Sequence, residues 1–591
     1  MIPGTYPFAS IKKSGTSLVE IENSALFNSA NSEYLSRTPS SAGNRDTWTF
    51  SAWVNTASRA NNQTLFSAGS NDSNGTTLWS YSTNGALQYR HRDGGTATDN
   101  IITTPLFRDI GWYHIVFAVD TTQAVETNRV RIYVNGVAIT DFSTSNYPAQ
   151  NADTDVNSTV AHHIGATTAV ATEVDGYIAE TVLIDGLQLT PTSFGEFDET
   201  GLYWTPKSST DIKNLTFGTN GFYLDNTTNA QTDASGEGNN FTNNNSVVTS
   251  THTPTNIQAL NNVLVRGNVT FSNGNRTMVF AGASYDTQPS TLVMPEGIGK
   301  WYCEYTNTTL ATSTVYAIGD PTYSLMGTND GGTIVDNPNG YGYIESGNKN
   351  TNAGGASYGN SWTSGDIIGI AYDAVNGSLW FSKNGTWQAS ATSSEITAGT
   401  TTNAAFTGIT GDKIFAAVIA STGACISHFA AEDWNYTAPT DFLALNTTNL
   451  AEATTRSEEL LENHFQVALV NHDGSSTAFT QNWSNATYHT AYWIKNRDAA
   501  EEWFVMDTLR GDSKHTKWDD QEPEQTDSNV CTFDGGSTIT LGSTLLANKY
   551  VVYCFRLGLV ADGTSNTDGN VTTVCSANQT AGWSCLNWSG I

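Results

Sequence analysis

The chain has 591 residues, enough for several domains, because single cores stop growing near ~250–300 residues. Only 14% of its residues are charged, against ~25% in an average soluble domain, and its polarity comes from Asn, Thr, Ser and 52 Gly, which favour turns and strand surfaces over helices. With 26 basic against 56 acidic residues the formal charge is −30, a field that repels phosphate backbones and anionic lipid and argues against nucleic-acid or membrane-surface binding.

The N-terminal run MIPGTYPFASIKKSG lacks the apolar core of a signal peptide, and no apolar run approaches the ~20 residues of a membrane span. Residues 1–205 predict one unit of short strands: Thr47–Val54, Thr64–Ala68, Thr77–Tyr81, Ala86–His91, Trp112–Val119 and Arg129–Val134. Asn74-Gly75, Asn84-Gly85, Asp93-Gly94 and Asn135-Gly136 separate them as turns. The order TFSAWV, LFS, WYHIVFAVD, RVRIYVNGV, HHIG, DGYIAETVLIDG resembles a laminin-G-like, concanavalin A-type jelly roll. That resemblance implies a fold and leaves the ligand open.

Residues 206–262 are poor in aliphatics and rich in Asn, Thr and Gly, the composition of a connector. Partial order is expected, because Phe222, Tyr223 and Leu224 need burial. Gly218–Leu224, Asp233-x-Ser235-Gly236 and Thr253-Pro254-Thr255-Asn256 resemble a connector of bacteriophage virion proteins that follows a laminin-G-like domain.

Residues 263–448 contain the stretch GDIIGIAYDAVNGSLWFSKNGTW, which predicts strands Ile367–Tyr372 and Ser378–Lys383 with turns at Asp373–Gly377 and Asn384-Gly385. With Gly299–Tyr305, Val315–Gly319, Ile414–Ala420 and Cys425–Phe429 it resembles a SPRY β-sandwich, a fold that binds partners. Ser427-His428-Phe429 replaces the Asn-Phe-Gly usual in that family, and Trp434–Leu450 resembles the segment closing phage-borne SPRY domains.

Residues 449–591 predict a short helix, Ser457–Phe465, and strands at Thr532–Leu541 and Lys549–Arg556. The stretch AYWIKNRDAAEEWFVMDTLR and the end, Thr573–Ile591, resemble a β module of phage tail and fibre proteins. The fold class expected is therefore all-β, as serial β-sandwiches: a laminin-G/concanavalin A-like jelly roll, a SPRY-like sandwich and a C-terminal β-sandwich module. No heptad repeat supports a coiled coil. The six cysteines form no CxxC pair, which argues against zinc; they read as small buried side chains in strands, with disulfides the alternative.

Catalytic groups are scarce. Glu173-Val174-Asp175 puts two carboxylates on one strand face, but position 177 is Tyr where a jelly-roll glucanase needs a third acid. Asp175-Gly176 reads better as a turn. His162-His163 could ligate a metal, with a transition metal the lesser reading. Asp120, Asp153 and Asp155 read as turn caps, with Ca²⁺ the one cofactor such loop carboxylates admit. Gly355–Gly359 (GASYG) lacks the strand and helix of a nucleophile elbow, and Asp519–Glu524 reads as a solvated loop. No catalytic residue is assigned and no enzyme is expected.

Binding residues are better represented. Trp79, Tyr81, Tyr89 and His91 lie at alternating strand positions beside Arg92, and Tyr341, Tyr343 and Trp362 sit among Gly and Asn. Aromatic faces of this kind stack on sugars, although in a sandwich they also fill cores. The three resemblances together imply a phage virion protein of the tail-fibre or adhesin type. Its partners would be a host cell-surface glycan or receptor and other virion proteins, and its homo-oligomer a trimer by analogy. A capsid-attached fibre or decoration protein, a polysaccharide depolymerase and a structural spacer are the alternatives.

Overall fold

A computed structural model describes residues 20–588, apart from 58–61, 81–84, 105–110, 199–202, 259–268, 282–284, 312, 322–338, 353, 421, 454–463, 519–522, 534, 561–563, 567–572 and 579–582. The chain is all-β, built as serial sandwiches. It divides into two units, Met1–Thr454 and Thr455–Ile591.

The first sandwich pairs two eight-stranded sheets. One runs through Val130–Val134, Tyr113–Asp120, Thr47–Thr56, Gly176–Asp185 and Ser24–Phe27; the other through Thr96–Thr103, Leu87–Asp93, Asn74–Ser80, Gln63–Asn71, Ala161–Ile164 and Tyr34–Arg37. Alternation on Thr47–Thr56 sends Trp48, Phe50, Ala52 and Val54 into the inter-sheet core. The sheet is buried on its other face too, because residues beyond 187 fold back over it: Phe194, Ile212, Phe217 and Tyr223 cover Val116, Ala118, Val182 and Ile184 on the strands flanking Thr47–Thr56.

The Asn/Thr-rich connector is woven into this sandwich. Phe222–Leu224 pairs with the second half of Gly176–Asp185, Val248–Ser250 with Ser24–Phe27, and Thr242–Asn244 with Tyr34–Arg37. Phe222, Tyr223 and Leu224 are buried, and that burial is what orders a polar segment. Gly176–Asp185 carries a bulge between Ala179 and Val182, with Glu180 at φ 51°. The bulge lies between the stretch pairing Ser24–Phe27 and the stretch pairing Phe222–Leu224.

The second sandwich has an eight-stranded sheet centred on Lys300–Thr309, Ile367–Asp373 and Ser378–Lys383, packed on a six-stranded sheet centred on Ile414–Ala420 and Thr314–Gly319. The expected hairpin forms, Ile368 opposite Lys383 and Asp373 opposite Ser378. Asn384 and Gly385 stand at φ 50° and 74°, as a two-residue primed turn requires. The tail returns through Leu443–Ala444, parallel to Trp301–Tyr302, and ends in the helix Thr447–Ala453.

The two sandwiches of the first unit are joined by polar contacts at a hairpin turn. Gly274 donates its N–H to Asp175 Oδ1 at 2.9 Å, and its carbonyl accepts from the Tyr177 hydroxyl at 2.9 Å. Thr251 donates its N–H to Glu432 at 2.7 Å, and Ile257 its N–H to the Thr447 hydroxyl at 2.9 Å.

The second unit pairs a six-stranded sheet (Phe465–Asn471, Lys549–Leu559, Tyr488–Asn496, Phe504–Asp507, Lys514–Lys517, Gln525–Thr526) with a three-stranded one (Thr477–Thr480, Thr538–Leu541, Cys531–Phe533). The expected helix Ser457–Phe465 lies outside the described residues through 463, and Phe465 opens a strand. Residues Thr573–Asn578 and Trp583–Trp588 form a hairpin. All six cysteines are free thiols; Cys303, Cys425, Cys531 and Cys554 are buried and the other two half-buried.

Candidate functional site

At the jelly-roll rim, three neighbouring strands set Thr76, His91 and Asp99 in one row by register. The 153–158 loop folds over that row. Asp155 donates its N–H to Thr76 Oγ1 at 3.2 Å, and His91 Nδ1 lies 3.0 Å from the same hydroxyl and 3.8 Å from Asp155 Oδ2. Burial pushes the Asp99 and Asp155 carboxyls up, and His91 pulls both back. Arg92, displaced by a bulge after His91, donates to the Asp72 carbonyl at 3.4 Å. The result is a small polar cluster of hydroxyl, imidazole and carboxyl groups, suited to hydrogen-bonding hydroxyls.

Tyr89 does not join it as a stacking surface. It pairs with Leu78 and Ile101 and is fully buried in the inter-sheet core, because its strand face meets the opposite sheet. Trp79 pairs with Gln88, one step out of phase with Tyr89. Tyr81 lies outside the described residues.

In the SPRY-like sandwich the three aromatic candidates separate in the same way. Tyr343 and Trp362 are core rings: Tyr343 stacks on Phe381 at 5.4 Å and Trp362 on Tyr316 at 5.2 Å. Both are corrected from surface to core. Tyr341 is half-buried, its ring 5.2 Å from Phe406. Lys349 lies 5.2 Å over Phe406 and donates to the Ala405 carbonyl at 2.6 Å. Phe406 and Lys349 were missed because each is isolated in a polar stretch; strand pairing of Asn348–Thr351 with Tyr341–Ile344 places Lys349 there, and only the loop through Ala405 brings Phe406 to Tyr341.

The remaining chemistry-bearing residues have structural partners. Asp175 is held by Gly274 and by the Ser29 hydroxyl at 3.3 Å, and burial raises its carboxyl while these bonds lower it. Glu180, buried at the bulge, accepts from the Tyr223 hydroxyl, and desolvation pushes it up to about 8. His162 Nε2 accepts from the Asn157 N–H at 3.0 Å, and His163 Nδ1 lies 2.9 Å from the Thr167 carbonyl. Burial would raise Asp120, but hydrogen bonds from Thr122, Gln123 and Thr47 hold it below the ordinary value. Asp153 pairs with Arg45 at 2.8 Å. Among the described residues no group of three or more His, Cys, Asp or Glu side chains is placed to hold a metal ion. Of the stretch GASYG, Gly355, Ala356 and Ser357 lie on the edge strand Gly354–Ser357, and Tyr358 and Gly359 follow it. Of the acidic run Asp519–Glu524, Glu524 lies 3.4 Å from both Arg510 and Lys514, and residues 519–522 lie outside the described residues.

Three family matches partition the chain. Residues 29–192 match the concanavalin A-like lectin/glucanases superfamily, 300–432 the SPRY domain, and 461–591 a family described as a domain of unknown function, DUF7483. The chain thus carries a concanavalin A-like domain and a SPRY domain. No curated protein matches it significantly. Solved structures similar to parts of it include the SPRY domain of human HERC1, at 14% identity over 27% of this chain and 91% of that one, TM-score 0.21. The heptameric SAP-like pentraxin of Limulus polyphemus matches at 14% identity over 39% and 96%, TM-score 0.27. Domain 4 of the arabinanase AbnA from Geobacillus stearothermophilus, solved with arabinotriose, matches at 21% over 25% and 65%, TM-score 0.20. None of these likenesses bears on ligand or reaction.

Proposed function

We propose that the chain is a binding protein of a bacteriophage virion, of the tail-fibre or adhesin type, that attaches to a host cell-surface glycan or receptor without breaking bonds. The observation that carries the binding part is the fate of Asp175. The one carboxylate pair the sequence offered for glycoside hydrolysis has Asp175 6% exposed and engaged by Gly274 and Ser29 at the joint between sandwiches. A retaining or inverting hydrolase needs both carboxyls facing the scissile bond. Copies on a particle multiply weak individual contacts, so modest sites such as the His91 cluster and the Tyr341–Phe406 edge suffice for adsorption. The acidic field accords with a partner other than nucleic acid or anionic lipid.

Cryo-EM of the intact particle, with this chain located on it, tests the reading. Density projecting from the tail supports adsorption, density on the shell favours the capsid-fibre or decoration alternative, and absence from the particle overturns the virion assignment. Release of reducing sugar from host polysaccharide by the purified chain would overturn the non-enzymatic part.

A further inference from the structure

The C-terminal unit presents a sheet face that neither site above uses. One face of its six-stranded sheet packs on the three-stranded sheet through Val470, Tyr492, Ile494 and Val552, all buried. Side chains alternate, so the register fixes what the other face carries. Val467 stands opposite Tyr553, Tyr553 opposite Trp493 and Trp493 opposite Val505, while Leu469 stands opposite Val551. The outward face of such a sheet is ordinarily polar. Here it is aromatic and aliphatic, yet Leu469 is 67% exposed, Trp518 59% and Val467 47%. Trp493 and Tyr553 are half-buried. Trp518 meets Trp493 edge to face, centroids 4.3 Å apart, which leaves most of the Trp518 indole in solvent.

Size decides between occupants. From the Phe465–Asn471 strand to Trp518 is four strand spacings and along the strands about four residues, on the order of 19 Å by 14 Å, or ~270 Å². A stable protein dimer needs about 800 Å² from each partner, so a second copy gains too little here. A short oligosaccharide fits. Its C–H faces stack on indole and phenol rings, and its hydroxyls meet polar groups at the border, where Lys517 pairs with Glu502 and Lys495 lies 5.5 Å over Trp503. The chain's charge of −30 disfavours an anionic glycan.

We propose that this sheet face, centred on Trp518 and Trp493, is a stacking platform for a neutral oligosaccharide. It rests on the adhesion reading in assuming that a glycan is the partner, and it names where one binds. The full-length chain is titrated with cellohexaose, mannohexaose and β-1,4-galactohexaose, with tryptophan fluorescence and calorimetry as readouts and sedimentation to follow self-association. Saturable binding of at least one probe is expected, weakened at least about tenfold by Trp518→Ala, with the melting temperature unchanged because that ring is mostly solvated. Trp493→Ala should weaken it similarly, and Val125→Ala, an exposed jelly-roll change, should not.

Equal affinity in wild type and Trp518→Ala overturns the platform. If that binding is lost in Tyr341→Ala or His91→Ala, the adhesion reading stands and only this site falls. Failure of all three probes to bind overturns the platform while particle imaging still judges the virion reading. Dimerisation that Trp518→Ala abolishes, without glycan binding, overturns it in favour of self-association.

Discussion

Gly274 shows how one residue fixes a joint. It sits at φ 63°, and a Cβ there would lie 2.6 Å from both Leu26 Cδ1 and the Tyr177 ring. Gly274→Ala therefore combines a left-handed backbone with overpacking and should cost about 1–3 kcal/mol in thermal or denaturant unfolding of the first unit. Glu180 shows a second residue-scale effect. Its folded value of about 8 lies above the ordinary 4.5, so the folded state holds a proton that the unfolded chain releases. Its contribution is fully present below pH 4.5 and is lost as pH rises towards 8. Glu180→Gln keeps an acceptor for Tyr223 but cannot ionise. Melting curves should show the variant gaining on wild type between pH 5 and pH 8.

His114 works in the opposite direction. Its Nδ1 accepts from the Trp204 indole N–H at 3.0 Å, so the proton sits on Nε2 and faces Ser51 Oγ at 2.9 Å. Burial depresses it to about 3, and its contribution, present above pH 6.5, is lost as pH falls towards that value. Among single residues, the sequence indicated which aromatics were numerous and not which were accessible. Tyr89 and Tyr341 sit in similar polar-flanked strands, yet one faces the opposite sheet and the other an edge.

At the scale of elements, the SPRY-like sandwich depends on how its tail is tied. Glu304 is fully buried on the strand Lys300–Thr309 and accepts the Tyr302 hydroxyl at 2.8 Å, the Asn435 N–H at 2.7 Å and the Tyr436 N–H at 3.0 Å. A buried carboxylate satisfied by two backbone donors and a phenol is a strong set of charge-assisted bonds. Glu304→Gln turns one acceptor into a donor facing donors, and should cost about 1.5–3 kcal/mol, read as a lower unfolding midpoint.

Strand centres were well marked by alternation and by Asn-Gly turns. Ile367–Asp373, Ser378–Lys383 and Ile414–Ala420 fall at or within a residue of their expected limits. The strands Phe222–Leu224, Thr242–Asn244 and Val248–Ser250 were not marked, since three-residue strands carry too little periodicity and form only by pairing with distant partners.

For the whole molecule, the first unit behaves as two sandwiches sharing a joint. Its contacts run from Asp175, Tyr177, Thr251 and Ile257 of the jelly roll and its connector to Gly274, Glu432 and Thr447 of the SPRY-like sandwich. The global charge also has a measurable consequence. With a pI near 4.5 and a charge of −30 at neutral pH, solubility should be lowest near pH 4.5 and rise steeply towards pH 7. Turbidity across that range checks it; a minimum near neutrality would contradict the assignment of charge.

By itself the sequence determined the class and the serial order of sandwiches, because turn chemistry and side-chain alternation are local and repeat along the chain. It also set the electrostatic character, which depends on composition alone. Tertiary structure alone decided which face of each strand met a second layer. That choice turned Tyr89, Tyr343 and Trp362 into core, made Asp175 part of a joint, and left Trp518 and Leu469 in solvent. Alternation gives every strand two faces, and only the long-range packing of sheet on sheet selects the one that is buried.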